Sequence, residues 1–344
     1  MRKLLLVGSN TVHVYNYLRL VESFFDEILL ISNEKNTNYD YNTVVADFSL
    51  QKPLNYLRTP RTIRKAIESF KPDVIHIHQA NSYAYYTFRA LRSRKIPVVL
   101  TAWGSDILLV PTFGRRLRNM VVSNISKADA ITSDSGYMAE EIKRLCPDFK
   151  GELLIANFGI GIDPVERTKE KMIYSNRLHK PLYRIDGIIR AFHSFHKSAA
   201  GAEWKLIVAA TGTETEKLQK MVAELNLQNH VEFAGWVDKV KNAEFYSRAR
   251  LFVSIPESDA TSISLLEAMA CGCVPVVSDL PANREWVQDG INGVIVNDTN
   301  SDFLSRALSM DVEAASIMNK DIVLRKGTKE VNKALFLKLY EKLL

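Results

Sequence analysis

Ser254-Ile-Pro-Glu-Ser-Asp259-Ala-Thr-Ser-Ile-Ser-Leu-Leu-Glu267-Ala-Met-Ala-Cys-Gly272-Cys-Val-Pro-Val-Val-Ser-Asp279 says more about the fold than any other stretch of this chain. The apolar run Leu251 to Ile255 reads as a buried strand that Pro256 ends. A polar loop, Glu257 to Ser264, leads into an apolar helix that runs through Ala270 and stops at Gly272. Val274 to Ser278 opens another strand. Such a strand–loop–helix–strand unit belongs to a parallel α/β sheet, whose ligands sit at the carboxyl ends of the strands.

The loop has the chemistry of an anion site. Thr261, Ser262, Ile263 and Ser264 surround a helix start, where backbone N–H groups lack partners and the dipole favours negative charge. Glu267, about a turn further in, would repel phosphate, yet its two oxygens suit a vicinal diol such as ribose. Asp259 lies on the loop side. One acid for a nucleoside, one for a second hydroxylated group and backbone donors for a diphosphate between them is the expected arrangement. Two solvated acids on an ordinary capped helix remain the alternative.

This stretch resembles the Glu-x7-Glu segment of family 4 retaining glycosyltransferases, with Asp259 in place of the first Glu and Leu265 to Gly272 nearly as the family writes it. The resemblance implies an α/β fold of GT-B type, two Rossmann-like doubly wound parallel-sheet domains facing a cleft. It covers almost the whole chain and is strongest over 231–297. In the family the second acid holds ribose, the first contacts the transferred sugar, and the amides between them hold the diphosphate. The implied reaction moves a sugar from a nucleotide-diphosphate donor, UDP-sugar favoured, to a hydroxyl of a glycan or lipid-linked acceptor, with retention. Surface polysaccharide or glycolipid synthesis is the implied pathway. A non-catalytic nucleotide-sugar-binding partner and an epimerase of the same fold are the competing classes.

Length and composition agree with two domains. The 344 residues are 47% hydrophobic and 24% charged, a soluble globular balance. Three cysteines argue against a disulfide framework and for a cytoplasmic setting. Met1-Arg-Lys-Leu-Leu-Leu-Val is too short for a signal segment and reads as a first strand. The net charge is +6. Basic runs at 58–65, 89–95 and 115–118 are either solvated helix faces or a peripheral contact with an anionic inner-membrane surface. No nucleic-acid partner is expected.

Alternating strands and helices divide the chain into an acceptor-binding domain (1–164), a nucleotide-sugar-binding domain (165–328) and a C-terminal helix (329–344) that crosses back to the first domain. Strands are expected near 3–7, 27–31, 43–46, 73–78, 97–101, 130–132 and 153–156, with helices near 11–23, 60–70, 82–94, 115–126 and 135–146. The second half repeats the pattern, with strands near 172–175, 204–209, 231–233, 251–255, 274–278 and 293–296. Its helices are expected near 185–199, 214–225, 239–248, 262–271 and 301–309. Asn157 to Pro164 reads as the linker.

The first strand is followed by Gly8-Ser-Asn and not by Gly-x-Gly-x-x-Gly, which argues against a dinucleotide enzyme. No Asp-x-Asp occurs, the motif that metal-dependent glycosyltransferases of GT-A type usually show, so the resemblance implies no obligatory metal or cofactor. His76 and His78 share one strand face. Thr101-Ala-Trp103-Gly104-Ser-Asp106 ends a strand, where Gly104 admits close approach and Asp106 is a candidate acceptor or base. Many family members have His-Gly here. Trp103 departs from that pattern, so Gly8, His78, Trp103 and Gly104 are assigned to the acceptor or sugar pocket.

Asn176-Arg177-Leu-His-Lys180-Pro-Leu-Tyr183-Arg184 is similar to the family segment whose arginine and lysine clamp the diphosphate. Arg177 matches the arginine. Tyr183 stands where the lysine would, so Lys180 or Arg184 is left to supply the second charge. Phe233-Ala-Gly235-Trp236 matches a family turn near the nucleobase. Asp106, Asp259 and Arg177 are the expected catalytic groups.

Overall fold

The computed structural model describes residues 1–91, 96–161 and 167–344. Residues 92–95 of the second basic run, the Asp163-Pro164 end of the linker and the expected boundary at 164/165 lie outside the described residues. The chain divides into two compact units, Met1–Phe158 with Lys329–Leu344, and Gly159–Thr328.

Unit 1 is built on β1 (Lys3–Val7), whose Leu4 to Val7 are wholly buried. Around it lie β2 (Glu27–Ser32), β3 (Asn42–Val45), β4 (Val74–His78), β5 (Val98–Thr101), β6 (Ala130–Ser133) and β7 (Glu152–Ile155). They pair in parallel in the order β3-β2-β1-β4-β5-β6-β7. The strands are nearly continuous apolar runs because helices cover both faces of the sheet. These are α1 (Val12–Val21), α2 (Asn55–Phe70), α3 (Ser82–Ala90), α4 (Ser105–Leu108), α5 (Arg115–Ile125) and α6 (Gly136–Leu145). Strand order reverses between β1 and β4, and Val7 stands opposite Ile77 there. Gly8 and His78 therefore emerge side by side.

The C-terminal helix (Lys329–Leu343) belongs to this unit and packs on α1. A buried polar cluster ties it to the sheet. Tyr340 Oη is hydrogen-bonded to Tyr17 Oη and His76 Nδ1, and Tyr17 Oη also meets His76 Nδ1 at 2.9 Å. On its other side His76 Nε2 bonds Thr101 Oγ1 at 2.6 Å, and Thr101 bonds Thr132. Strands β4, β5 and β6 thus share one chain of hydrogen bonds with the last helix.

Unit 2 repeats the plan with β8 (Glu170–Ser175), β9 (Lys205–Ala209), β10 (Val231–Gly235), β11 (Ala249–Ser254), β12 (Val274–Ser278) and β13 (Val294–Val296). The order is β10-β9-β8-β11-β12-β13, all parallel, with the reversal between β8 and β11. Its helices are α7 (Ile185–His196), α8 (Thr215–Glu224), α9 (Lys239–Arg248), α10 (Ile263–Ala270), α11 (Pro281–Arg284), α12 (Phe303–Leu308) and α13 (Val312–Lys326). Both sheets are doubly wound, as the alternation implies.

Helix α2 differs from expectation at its start, and α4, α11 and α13 have no counterpart among the expected helices. The 60–70 helix begins at Asn55, so Pro60 lies inside α2. Proline prefers a first turn, and the expected helix began at Pro60. Here its ring is buried, and the helix tolerates one missing N–H. Helix α13 is absent from the sequence-based list because its apolar residues form no single stripe. It is capped by Asp311, whose carboxylate accepts from Ala314 N–H at 3.0 Å. The quoted helix is α10, and it starts one residue later than the spacing suggested, with Ser262 as its cap residue. It ends as Gly272 predicts: Gly272 N–H reaches Met269 O and Cys273 N–H reaches Ala268 O, each at 2.9 Å. Gly272 takes φ +73°, and a Cβ there would collide with Ser316.

Burial holds both His76 and His78 well below the usual imidazole range, His78 down to about 3. They stay neutral when folded, whereas an unfolded histidine takes up a proton near pH 6.5. Their contribution is complete above that pH and is lost as pH falls below it, by about 1.4 kcal/mol per histidine per pH unit. The urea midpoint is therefore expected to drop between pH 7.5 and 5.5. His78→Leu should remove about half of that drop.

Candidate functional site

The sheet reversal of unit 2 places two loops together. Chain leaving β8 passes through Asn176 and Arg177, and chain leaving β11 passes through Asp259 to the start of α10. Arg177 Nη2 stands 2.8 Å from Asp259 Oδ2, and Nη1 donates to Ser262 Oγ at 2.6 Å. The guanidinium lies over the Tyr183 ring, 4.6 Å from its centre. Burial raises the Asp259 carboxyl above its ordinary range, and Arg177 opposes that shift. Ser262 is buried and accepts from Arg177 instead of capping α10 with its side chain. In the first turn of α10 Leu265 N–H bonds Ser262 O at 3.1 Å, and helix geometry gives the Ile263 and Ser264 amides no intrahelical carbonyl.

Glu267 lies one turn along α10 within a network that no sequence spacing reveals. Asn242 on α9 donates from Nδ2 toward Glu267 Oε2 at 3.4 Å. Asn242 Oδ1 accepts from Tyr174 Oη (2.6 Å) and Asn176 Nδ2 (3.0 Å), and Asn176 Nδ2 also reaches Tyr246 Oη at 2.7 Å. Tyr246 is further hydrogen-bonded with Ser264. Burial and the Glu267 charge both hold the Tyr174 and Tyr246 phenols above their usual range, so they stay neutral hydrogen-bonding groups. Thr261 and Ile263 flank Ser262, and Ile263 is partly exposed. Arg177, Asp259, Thr261, Ser262, Ile263, Ser264 and Glu267 are thus brought to one place. Asn176, Asn242, Tyr174 and Tyr246 are additions. Only Asn176, beside Arg177, carried a hint.

The two candidates for a second charge differ. Arg184 donates from Nε to Ile255 O at 2.6 Å and from Nη2 to Pro256 O at 2.8 Å. These bonds support its left-handed backbone (φ +50°) and tie the 181–184 turn to the end of β11. Arg184 is therefore corrected from a phosphate ligand to a brace. Lys180 is exposed. Gly235, with φ +66°, ends the edge strand β10, and Trp236 next to it is 75% exposed.

In unit 1, Asp106 is also corrected. It is 1% exposed, and its two oxygens accept from Ala80 N–H (2.6 Å) and Trp103 N–H (2.9 Å). Burial raises its carboxyl and these amides pull it back. The group clasps the loops after β4 and β5 and presents nothing to a substrate. Gly104, at φ +87°, turns the chain between Trp103 and Asp106. His78 has no exposed surface; Tyr17, His76, Trp103 and Phe158 surround it, and neither ring nitrogen is paired. Its expected place on a pocket wall does not hold. A Cβ on Gly8 would stand 3.3 Å from His78 Cβ and 3.0 Å from Val14, so Gly8 serves close packing. Trp103 meets His13 and His78 edge-on. Among the described residues no three His, Cys, Asp or Glu side chains group as a metal site.

Two doubly wound parallel sheets, with an arginine and acids gathered at the reversal of the second, define a GT-B protein. Residues 162–315 match the model of Glycosyl transferases group 1, and residues 3–135 that of Glycosyl transferase 4-like proteins. The chain belongs to this glycosyltransferase family. It is 25% identical over 247 residues to the N-acetyl-alpha-D-glucosaminyl L-malate synthase of Bacillus anthracis, covering 66% of this chain and 62% of that protein. It is also 25% identical over 259 residues to the phosphatidyl-myo-inositol mannosyltransferase of Mycolicibacterium smegmatis, covering 73% and 64%. The match thus spans a little under two thirds of these relatives' length. Among solved structures, Anabaena HepE in complex with UDP superposes with TM-score 0.80 at 14% identity, covering 99% of this chain and all of that one. A Rickettsia africae glycosyltransferase gives 0.82 at 13%, covering 99% of this chain and 98% of that one.

Replacing Asp106 by Ala strands the Ala80 and Trp103 amides and should cost about 2–4 kcal/mol of stability, read in thermal unfolding. An Asp106→Ala protein of unchanged stability and abolished activity would return Asp106 to the role of base.

Proposed function

We propose that the chain is a retaining glycosyltransferase that takes a sugar from a nucleoside-diphosphate sugar, UDP-sugar favoured, and places it on a hydroxyl of a glycan or lipid-linked acceptor. Surface polysaccharide or glycolipid synthesis is the proposed setting. The observation that carries the reading is the convergence of Arg177, the α10 amino end and Glu267 at the β8/β11 reversal. In this reading Arg177 and the first-turn amides meet the negative charge that develops on the departing diphosphate. Glu267, held by Asn242, accepts from the ribose hydroxyls, and Asp259 from the transferred sugar. No metal is assigned, because the guanidinium and the amides already supply the stabilising positive charge. The names of the relatives, which include sugar transfer to a phosphatidyl-inositol, and the UDP in the HepE crystals support this choice.

A membrane-facing role for unit 1 is part of the proposal. Between residues 48 and 128 the sequence holds 14 Lys and Arg against three acids, one of which is the buried Asp106. Arg58, Arg61, Arg115, Arg116 and Arg118 are exposed on α2 and α5, and α3 touches both helices. Leu54, Leu57, Leu109 and Phe113 are exposed beside them. Basic and apolar residues on one sheet face suit an anionic lipid surface, with about 1 kcal/mol per basic residue near it. No described helix is long and apolar enough to cross a membrane.

Calorimetric titration of UDP and GDP without added metal tests the donor site. One of them is expected to bind in the micromolar range, with the affinity lost in Glu267→Ala; binding by neither would remove the reading. Co-sedimentation with phosphatidylglycerol vesicles tests the surface. Binding is expected to fall when Arg115, Arg116 and Arg118 become Glu and when salt is raised. Equal binding to neutral vesicles would contradict it.

A further inference from the structure

Arg177 is already occupied. Along its edge Asp259 takes Nη2 and Ser262 takes Nη1, while Tyr183 covers a face. The side chains are largely enclosed, Arg177 12% and Asp259 23% exposed, so the pair is more weakly screened than a surface ion pair. A diphosphate seeking this cation meets a carboxylate of its own sign 2.8 Å from it. The two anions compete for one edge of the guanidinium. Tyr183 does not compete, because its ring contacts the face and leaves the N–H donors free to be exchanged. Ser262 is neutral and adds no repulsion.

We propose that a nucleoside diphosphate binds by anion exchange at Arg177, displacing the Asp259 carboxylate while Tyr183 and Ser262 keep the guanidinium in place. The proposal rests on the donor-site reading above. It gives Tyr183, which stands where the resemblance places a lysine, a positioning role. It also gives Asp259 two partners in turn: Arg177 when the site is empty, and hydroxyls of the transferred sugar when the donor is bound. After transfer the remaining nucleoside diphosphate no longer offers Asp259 a sugar. The carboxylate then returns to Arg177 and helps expel the product, a step that often limits turnover.

Nucleoside diphosphates without a sugar isolate the competition, since Asp259 then has nothing to lose but repulsion. In calorimetric titration of UDP and GDP, Asp259→Asn is expected to bind the preferred nucleotide about fivefold or more tighter than the unaltered chain. Asp259→Ala should shift affinity in the same direction. Tyr183→Leu should weaken binding about threefold to tenfold, and Tyr183→Phe, which keeps the ring, should restore it. Circular dichroism and melting curves accompany each variant. Equal or weaker binding by both Asp259 variants would overturn the exchange, and continued loss of binding in Glu267→Ala would show the donor site itself intact. If neither nucleotide binds any of these proteins, the donor-site reading fails and the exchange fails with it.

Discussion

The candidate donor site depends on one pairing, β8 against β11, with Ile173 opposite Leu251 and Tyr174 opposite Phe252. Side chains alternate along each strand, so a slip of one residue would carry every side chain of β8 from one buried face of the sheet to the other and undo the packing on both. With the register fixed, the chains leaving the two strands must diverge on either side of the sheet, because the strand order reverses between them. Arg177 lies two residues past one strand and Asp259 five past the other. Their meeting is a consequence of topology, and α10 adds its amino end because it starts where the second loop closes.

Buried polar groups are used differently in the two units. In unit 1 most are tied inward: Tyr17, His76, Thr101, Thr132 and Tyr340 satisfy one another, and Asp106 is consumed by backbone amides, while the buried His78 ring stays unpaired. Such groups hold elements together and are costly to break, because an unpaired partner would be left in a dry interior. In unit 2 the network from Tyr174 through Asn242 ends on Glu267, and the one from Tyr183 through Arg177 ends on Asp259. Each terminates on a carboxylate at the loop end of the sheet. Glu267, held from behind by Asn242, loses little conformational entropy when a ligand arrives, whereas Asp259 is held by the cation the ligand seeks.

Much of the fold was legible because parallel strands between two helical layers must be apolar throughout. Leu4 to Val7 could hardly be anything else, and Val274 to Val277 keeps the pattern in spite of Pro275. Helix α10 was readable from both ends, through its polar start and the glycine that closes it. Helix α13 was not, since its contacts with α10 use scattered positions and Asn319 spends its amide on the backbone of Cys273 and Asn292. The site was half legible. Arg177, Ser262 and Glu267 were marked by type and by distance from a strand end. Asp106 and Arg184 were misread for one reason: both bond backbone groups in other loops, and sequence spacing carries no trace of such partners. Asn242 and Tyr246 escaped because they sit on another helix, with no pattern linking them to α10.

Hydrogen exchange of the whole chain, with and without saturating UDP or GDP, tests the central claim most directly. The account predicts slowed exchange across 176–184, 242–246 and 257–267 on nucleotide binding, the three segments that converge at the β8/β11 reversal. Protection confined to the 8–11 turn of unit 1, with those three segments unchanged, would contradict it.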